Sequence, residues 1–357
     1  MKIILSGGGT LGPVTPLLAL VNVCRKKGLA ADFIWVGTKN GPEKELVEKA
    51  GLPFRVISAG KWRRYFSFWN VTDFFKLIIS FFWSLWFLKK EKPDLLISAG
   101  GFVSVPLHWA GRFLGVPAWI HQQDVRPGLA NKLMAKGAKK ITVAVKESAV
   151  YFKKEVEWLG NPTRDLSVSD RSAAKARFGI TDAEPVIFAL GGGTGSNRIN
   201  RMILEALNSW PPEWHVIHLT GKERPSEACE HAAKLFKNYR SYKFFSEEMK
   251  DAYAAADVVV GRAGFGTITE LAALGKPAIL MPMSGTHQEE NVDYLAKRGA
   301  VLVLDERVDS GASLAATVKD LVGDEKKRLE LGENLRRLLP PAKEERMIEI
   351  IEMMRKM

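Results

Sequence analysis

Short apolar runs alternate with amphipathic stretches through the first third of the chain. Ile3-Ile4-Leu5 stops at a glycine and has the character of a buried strand. Residues 16–27 carry a helical pattern, and Phe33–Val36 reads as a second strand. Residues 42–50 are helical again, followed by a strand at Phe54–Ile57. An aromatic helical segment at about 72–90 comes next, then a strand at Leu95–Ile97, a helix at about 104–114 and a strand at Ala118–Ile120. Strands separated by helices predict an α/β domain around a mostly parallel sheet. Right-handed crossovers then cover both sheet faces.

A second series starts after Asn161-Pro162. Residues 167–179 are polar and helical in pattern, and Val186–Leu190 is a strand running into glycines. Strands follow at 215–219, 241–245, 257–260, 278–281 and 301–304, with helices between them. The two series echo each other: Ile3–Thr10 reads IILSGGGT and Ile187–Thr194 reads IFALGGGT. This repeat predicts two Rossmann-like domains with a hinge near 160–164 and a ligand cleft between them. The expected division is 1–162, 163–335 and a charged terminal helix at 336–357 that packs across the domains.

Two domains suit 357 residues, and 46% hydrophobic against 26% charged positions exclude wholesale disorder. Met1-Lys2 and the short apolar run after it do not make a secretory signal. Two cysteines, Cys24 and Cys229, support neither a disulfide scaffold nor a thiolate metal cluster. A net charge of +12 points to an anionic partner. Nucleic acid is disfavoured, because the positive charge is dispersed and no readout motif accompanies it. The six histidines form neither HExxH nor a close histidine–carboxylate set, so a protein-bound metal is not expected. His215 and His218 fall in or near one strand pattern and read as structural. No GxSxG elbow is present. Asp94 reads as orienting the turn before Leu95.

Gly7-Gly8-Gly9-Thr10-Leu11-Gly12 and Gly191-Gly192-Gly193-Thr194-Gly195 each follow a strand. Such loops let backbone N–H groups approach a phosphate at a helix start. Neither is a clean GxGxxG or a P-loop, and either alone reads equally as a tight turn. Two of them facing one cleft favour phosphate. A third cluster, Gly261-Arg262-Ala263-Gly264-Phe265-Gly266-Thr267, follows Val258–Val260. Thr267 precedes Glu270 by three residues, the spacing of a capping box. Glu270 therefore either caps a helix or receives a pair of ribose hydroxyls.

Twelve of the 34 aromatic residues lie between Trp62 and Phe87. Trp62-Arg63-Arg64-Tyr65-Phe66 opens this segment, and Phe74–Leu88 is too short and too interrupted, by Lys76, to span a bilayer. Its apolar residues occupy all sides of a helix, and a small domain has difficulty burying them all. Aromatic rings with neighbouring lysines and arginines suit peripheral contact with an anionic membrane surface.

Taken together, the ordered motifs resemble the bacterial lipid-linked glycosyltransferases of peptidoglycan synthesis. They are the first glycine loop, Ser98–Ser104 (SAGGFVS), His121-Gln122-Gln123-Asp124, Gly160–Arg164 (GNPTR), the 191–195 loop, the 261–270 segment and His287–Asn291 (HQEEN). The resemblance implies the GT-B fold, two Rossmann-like domains facing a cleft. It implies inverting transfer of N-acetylglucosamine from UDP-N-acetylglucosamine to undecaprenyl-diphosphate-N-acetylmuramoyl-pentapeptide (lipid I), giving lipid II, without a tightly bound cofactor. By that likeness Arg164, Gly193 and Thr194 meet donor phosphate, Phe245 and Ser246 lie beside uracil, and Gly264, Phe265, Gly266 and Thr267 border the diphosphate and uridine. Glu270 binds ribose, and Gln288 and Asn291 recognise the sugar. Thr10, Leu11, Gly12, Gly100, Gly101 and Asp124 bind acceptor, and Asp124, then His121, are the candidate bases. The implied setting is the cytoplasmic face of the cell membrane, with cell-wall synthesis proteins as further partners.

The chain departs from the family pattern where chemistry is concerned. The family's GGTGGH becomes Gly8-Gly9-Thr10-Leu11-Gly12-Pro13, so its histidine is absent. HEQN becomes His121-Gln122-Gln123-Asp124, and a serine–glutamine pair becomes Gly193-Thr194. Competing readings are a related UDP-sugar transferase with another polyprenyl-diphosphate acceptor, a non-catalytic membrane scaffold and, more weakly, an NAD-dependent enzyme.

Overall fold

The computed structural model describes residues 1–58, 69–168, 170–181 and 184–357, with the side chains of 69–74 left aside. Trp62–Phe66 and the Phe74 side chain, part of the aromatic segment singled out above, lie outside the described residues. The chain forms two compact units, Met1–Arg164 with Pro341–Met357, and Asp165–Pro340.

In the first unit seven strands, β1 (Lys2–Ser6), β2 (Asp32–Gly37), β3 (Phe54–Val56), β4 (Leu95–Ser98), β5 (Ala118–Gln122), β6 (Lys140–Val143) and β7 (Glu157–Trp158), make one sheet in the order β3-β2-β1-β4-β5-β6-β7. Every pairing is parallel. Ile3 sits between Phe33 and Leu95. Asp94 takes the Lys2 backbone N–H at 2.7 Å, which fixes the entry to β4. Helices α1 (Thr15–Lys26), α2 (Glu43–Lys49), α3 (Trp69–Glu91), α4 (Ser104–Phe113) and α5 (Leu129–Ala135) link the strands. The second unit has β8 (Val186–Leu190), β9 (His215–Leu219), β10 (Tyr239–Tyr242), β11 (Val258–Arg262), β12 (Ala278–Met281) and β13 (Leu302–Val303), all parallel, in the order β10-β9-β8-β11-β12-β13. Its helices are α6 (Arg171–Ala176), α7 (Asn197–Ala206), α8 (Glu227–Leu235), α9 (Glu248–Ala255), α10 (Phe265–Leu274), α11 (His287–Ala296), α12 (Gly311–Gly323) and α13 (Glu325–Leu338).

The last helix, α14 (Glu344–Arg355), belongs to the first unit. Its Met347, Ile350, Ile351 and Met354 join the apolar cluster of Ile3, Leu5 and Leu17. Arg346 grips Glu157 through two bonds of 2.6 and 2.9 Å, and Lys140 approaches the same carboxylate at 2.5 Å. The Arg346 bonds, assisted by Lys140, hold the Glu157 carboxyl down at about 2. The terminal segment expected at 336–357 is therefore split at Pro340-Pro341: the residues before it stay with the second unit, and those after it pack within the first.

Three elements went unforeseen. Helix α5 has seven residues, β6 four and β7 only two, one of them exposed, so each is too short to stand out in the pattern of apolar runs. Strand β10 lies at Tyr239–Tyr242 rather than 241–245, because it ends where its partner β9 ends, Tyr242 pairing Leu219. Phe245, freed from the ladder, packs its ring 4.7 Å from Tyr242 and 5.8 Å from Phe178.

Helix α3 packs on α4 through one face, burying Phe87 and Leu88. The other face leaves Phe75 (59%), Ile79 (65%), Phe82 (62%) and Trp86 (57%) exposed, a spacing of three to four residues that forms one stripe. Phe113, at the end of α4, is also exposed. Among the described residues no helix is long and apolar enough to cross a membrane.

Because α14 completes the first unit's core, Ile350→Ala is expected to lower stability by about 2–4 kcal/mol, the cost of a buried cavity at a fully enclosed site. Urea unfolding of the variant against the unaltered chain checks this, and a change below about 0.5 kcal/mol contradicts it.

Candidate functional site

In each unit the loops singled out from sequence leave the C-terminal edge of a parallel sheet. In the first, Gly7–Gly12 follows β1, Gly100-Gly101 follows β4, and Gln122–Asp124 ends β5. Strand β1 pairs with β4, so the chain crosses outward on both sides of this point, where open α/β sheets bind ligands. Gly101 has φ +91°, and a Cβ there would lie 3.0 Å from both the Gly8 nitrogen and oxygen. The two glycine loops therefore touch backbone to backbone. Gln123 donates to the Gly12 carbonyl at 3.0 Å and brings the β5 exit onto the first loop. Glu43, fully buried, accepts from Thr38 N at 2.7 Å and Gly9 N at 3.3 Å. It holds the loop from behind and was not foreseen, since nothing in the sequence pattern brings α2 to β1. Thr10 is exposed, and Leu11, Gly12 and Gly101 are half-buried, whereas Gly100 is buried.

The two candidate bases differ sharply. His121 is 2% exposed, and both ring nitrogens are engaged, Nδ1 with Thr142 Oγ1 at 2.9 Å and Nε2 with Asn161 Oδ1 at 2.7 Å. Burial pushes its imidazole down to about 4, against the Asn161 bond. This geometry argues against His121 as a base: it pins Asn161, whose carbonyl accepts from Ala342 N at 3.0 Å. Asp124 is half-buried and reachable. Its backbone carbonyl receives Gln122 Nε2 at 2.8 Å and Ser148 Oγ at 3.2 Å, which leaves its placement to a braced loop. Gln122 also donates toward Arg126 O at 3.4 Å and accepts from Asn131 Nδ2 at 2.5 Å. It serves as an amide, donating on one side and accepting on the other. Gln123 Oε1 and Asn131 Oδ1 are buried acceptors without a hydrogen-bond partner. Pro13 precedes Val14, the residue that opens α1.

In the second unit, the Gly191–Gly195 loop leaves β8, Phe245 and Ser246 follow β10, Gly264–Thr267 follows β11, and Gln288 and Asn291 follow β12. The structure thus gathers these predicted donor residues at one sheet edge, while Arg164 is the last residue of the first unit's main segment. Gly193 and Ser246 are exposed, Thr194, Gly266, Thr267 and Gln288 are half-buried, and Phe245, Phe265 and Asn291 are buried. Gly264 is the N-cap of α10, without a side-chain cap bond and with open space where a Cβ would stand. The first N–H groups of α10 thus face outward, a suitable environment for an anion. The capping-box spacing is not realised as one: α10 starts at Phe265, which puts Thr267 inside the helix, and Glu270 accepts from Tyr253 Oη at 2.9 Å instead. Gln288 Oε1 accepts from Met283 N at 3.0 Å, which orients its amide.

Arg262, unassigned in the sequence reading, joins these loops. It is 8% exposed, donates to Ser196 Oγ at 3.0 Å and Pro282 O at 3.2 Å, and pairs with Glu306 at 2.6 Å. A charged residue closing an apolar strand just before a glycine cluster was the available signal. Among the described residues no group of three or more histidine, cysteine, aspartate or glutamate side chains is placed to hold a metal ion.

Residues 3–143 match the Glycosyltransferase family 28 N-terminal domain, and residues 186–346 match the C-terminal domain of the same family. The chain is 38% identical over 334 residues, 92% of either chain, to the UDP-N-acetylglucosamine--N-acetylmuramyl-(pentapeptide) pyrophosphoryl-undecaprenol N-acetylglucosamine transferase of Clostridium perfringens. It is 33% identical to the protein of that name from Legionella pneumophila, covering 98% of this chain and 96% of the other. The crystal structure of Acinetobacter baumannii MurG shares the fold, with a TM-score of 0.77 at 24% identity over 100% of this chain and 99% of that one.

Two predictions follow from the buried polar groups. Burial holds His108 and His218 at about 3 and His121 at about 4, below the ordinary 6.5. The stability this represents is complete above pH 6.5 and is lost as pH falls toward those folded-state values, because the unfolded chain takes up protons first. Each histidine can remove up to about 1.4 kcal/mol per pH unit in that window. The urea midpoint is expected to drop between about pH 7.5 and about pH 5.5, and an unchanged midpoint would refute the assignment. Gln122→Glu places a carboxylate against two carbonyls and is expected to cost about 1–3 kcal/mol at neutral pH. Thermal melting measures the loss, and a neutral or stabilising effect contradicts the amide role.

Proposed function

The chain belongs to glycosyltransferase family 28, and on that premise we propose that it transfers N-acetylglucosamine from UDP-N-acetylglucosamine to undecaprenyl-diphosphate-N-acetylmuramoyl-pentapeptide, forming lipid II for the bacterial cell wall. The observation that carries this reading is the likeness, at 38% identity over 92% of both chains, to a relative whose name states that transfer.

The second unit's strand-end loops suit the donor. The outward N–H groups at Gly264–Thr267 meet the diphosphate, Glu270, oriented by Tyr253, accepts the ribose hydroxyls, and Phe245 and Ser246 flank uracil. Gln288 addresses the sugar with Asn291 behind it, and Gly193 and Thr194 border the phosphates. Arg164 supplies a fixed positive charge to the donor phosphate. In the first unit Thr10–Gly12 and Gly100-Gly101 receive the acceptor diphosphate. The acceptor's C4 hydroxyl attacks the anomeric carbon from the face opposite UDP and inverts it. Asp124 takes the hydroxyl proton, and UDP departs with its charge spread over backbone N–H groups and Arg164.

The exposed stripe Phe75, Ile79, Phe82 and Trp86 supports peripheral attachment to the membrane that holds the lipid acceptor. Lys90, 5.2 Å above the Trp86 ring, adds positive charge at its end. Attachment to the cytoplasmic face fits a water-soluble nucleotide-sugar donor, and cell-wall synthesis proteins are the further partners this setting offers.

Transfer from UDP-N-acetylglucosamine to lipid I in vesicles tests the reading; good transfer only to other polyprenyl-diphosphate sugars would replace its acceptor. Glu270→Ala is expected to raise the donor KM about 10–100-fold, the worth of a charged hydrogen-bond pair. Asp124→Asn is expected to lower kcat about 10²–10⁴-fold with donor KM little changed, and steady-state kinetics separate the two effects.

A further inference from the structure

We infer that His218 is a positioning residue for the Gly191–Gly195 loop, acting through Asn200 and the Thr220 carbonyl; the inference rests on the donor-site reading above. His218 is fully buried on β9. Its Nε2 lies 3.0 Å from Asn200 Oδ1 and its Nδ1 2.8 Å from Tyr239 Oη. Asn200, on the first turns of α7, donates through Nδ2 to the Thr220 carbonyl at 3.0 Å. A carbonyl only accepts, so this bond fixes which way the Asn200 amide points, and Oδ1 must face the imidazole.

The directions of the remaining bonds then follow. Oδ1 only accepts, so His218 Nε2 carries the proton. The buried ring is neutral, so Nδ1 is bare and accepts from the Tyr239 hydroxyl. Each link has one polarity, and the series runs from β10 through β9 to α7, ending on the backbone of residue 220.

That terminus is where the glycine loop is most tightly held. Gly195 has φ +83°, and a Cβ there would lie 2.4 Å from Thr220 O and 2.7 Å from Gly221 Cα. Arg224 Nε donates to Gly195 O at 3.3 Å from the same side. The Thr220 carbonyl is thus the wall against which the loop closes, and Asn200 holds it through a bond that only the Nε2-protonated imidazole supports. A shift of a few tenths of an ångström in this carbonyl displaces the loop's N–H groups directly.

Two substitutions separate the limbs of the network. His218→Gln puts an amide N–H near the place of Nε2 and keeps the Asn200 limb; His218→Asn reaches only the place of Nδ1 and loses it. UDP binding by calorimetry and the KM values for both substrates are measured on the full chain, with thermal melting alongside. The Gln variant is expected to bind UDP within about threefold of the unaltered chain, and the Asn variant to weaken UDP and raise donor KM by about tenfold with acceptor KM unchanged. Equal behaviour of the two variants, or acceptor KM moving with donor KM, would overturn the inference alone. Failure of the unaltered chain to bind UDP would overturn the donor-site reading and this inference with it. Should either histidine variant not fold, Asn200→Ala decides: it removes the amide that links His218 to the Thr220 carbonyl, and is expected to weaken UDP about tenfold, whereas unchanged affinity overturns the inference.

Discussion

Strand β1 pairs with β2 on one side and β4 on the other, and β8 pairs likewise with β9 and β11. All of these ladders are parallel, so every strand ends at the same edge of its sheet. The chain must then turn at that edge to begin a crossover, and where the strand order reverses the turns diverge and leave a crevice. Nearly every other feature serves this arrangement. Glycines let the loops at the crevice touch, Glu43 and Arg262 hold them from behind, and helix starts present backbone N–H groups beside them. Chemistry is concentrated where the sheet geometry leaves room for it.

Much of this was legible in the chain. Parallel strands buried on both faces read as unbroken apolar runs, and the runs at residues 3–5, 95–97, 186–190 and 278–281 lie within or coincide with the strands formed. The strand-to-glycine repeat marked both crevices. What sequence did not disclose depends on pairing partners. The register of β10 is set by β9, and the burial of Glu43 by loops remote from it. Thr267 and Glu270 have the spacing of a cap, but the backbone enters α10 one turn earlier, where Gly264 offers no side chain to close it.

The candidate site was read with uneven success for a similar reason. Residue type gives potential chemistry, and surroundings decide which part of it is expressed. His121 and Asp124 stand three residues apart, yet one has both nitrogens occupied in a dry interior and the other sits on a braced, half-exposed turn. Gln122, between them, uses both ends of its amide. The aromatic helix shows the same principle at larger scale: a helix apolar on every side resolves into a face that α4 covers and a face that stays bare.

The placement of α14 bears on how the protein is made. The second unit, Asp165–Pro340, is one uninterrupted stretch, while the first is assembled from both ends of the chain. During synthesis the N-terminal sheet emerges first but waits for Met347, Ile350, Ile351 and Met354 to cover it. The apolar surface that α14 covers therefore stays open until the whole of the second unit has been made. The first unit thus begins before the second in the chain and is completed only by residues that follow it.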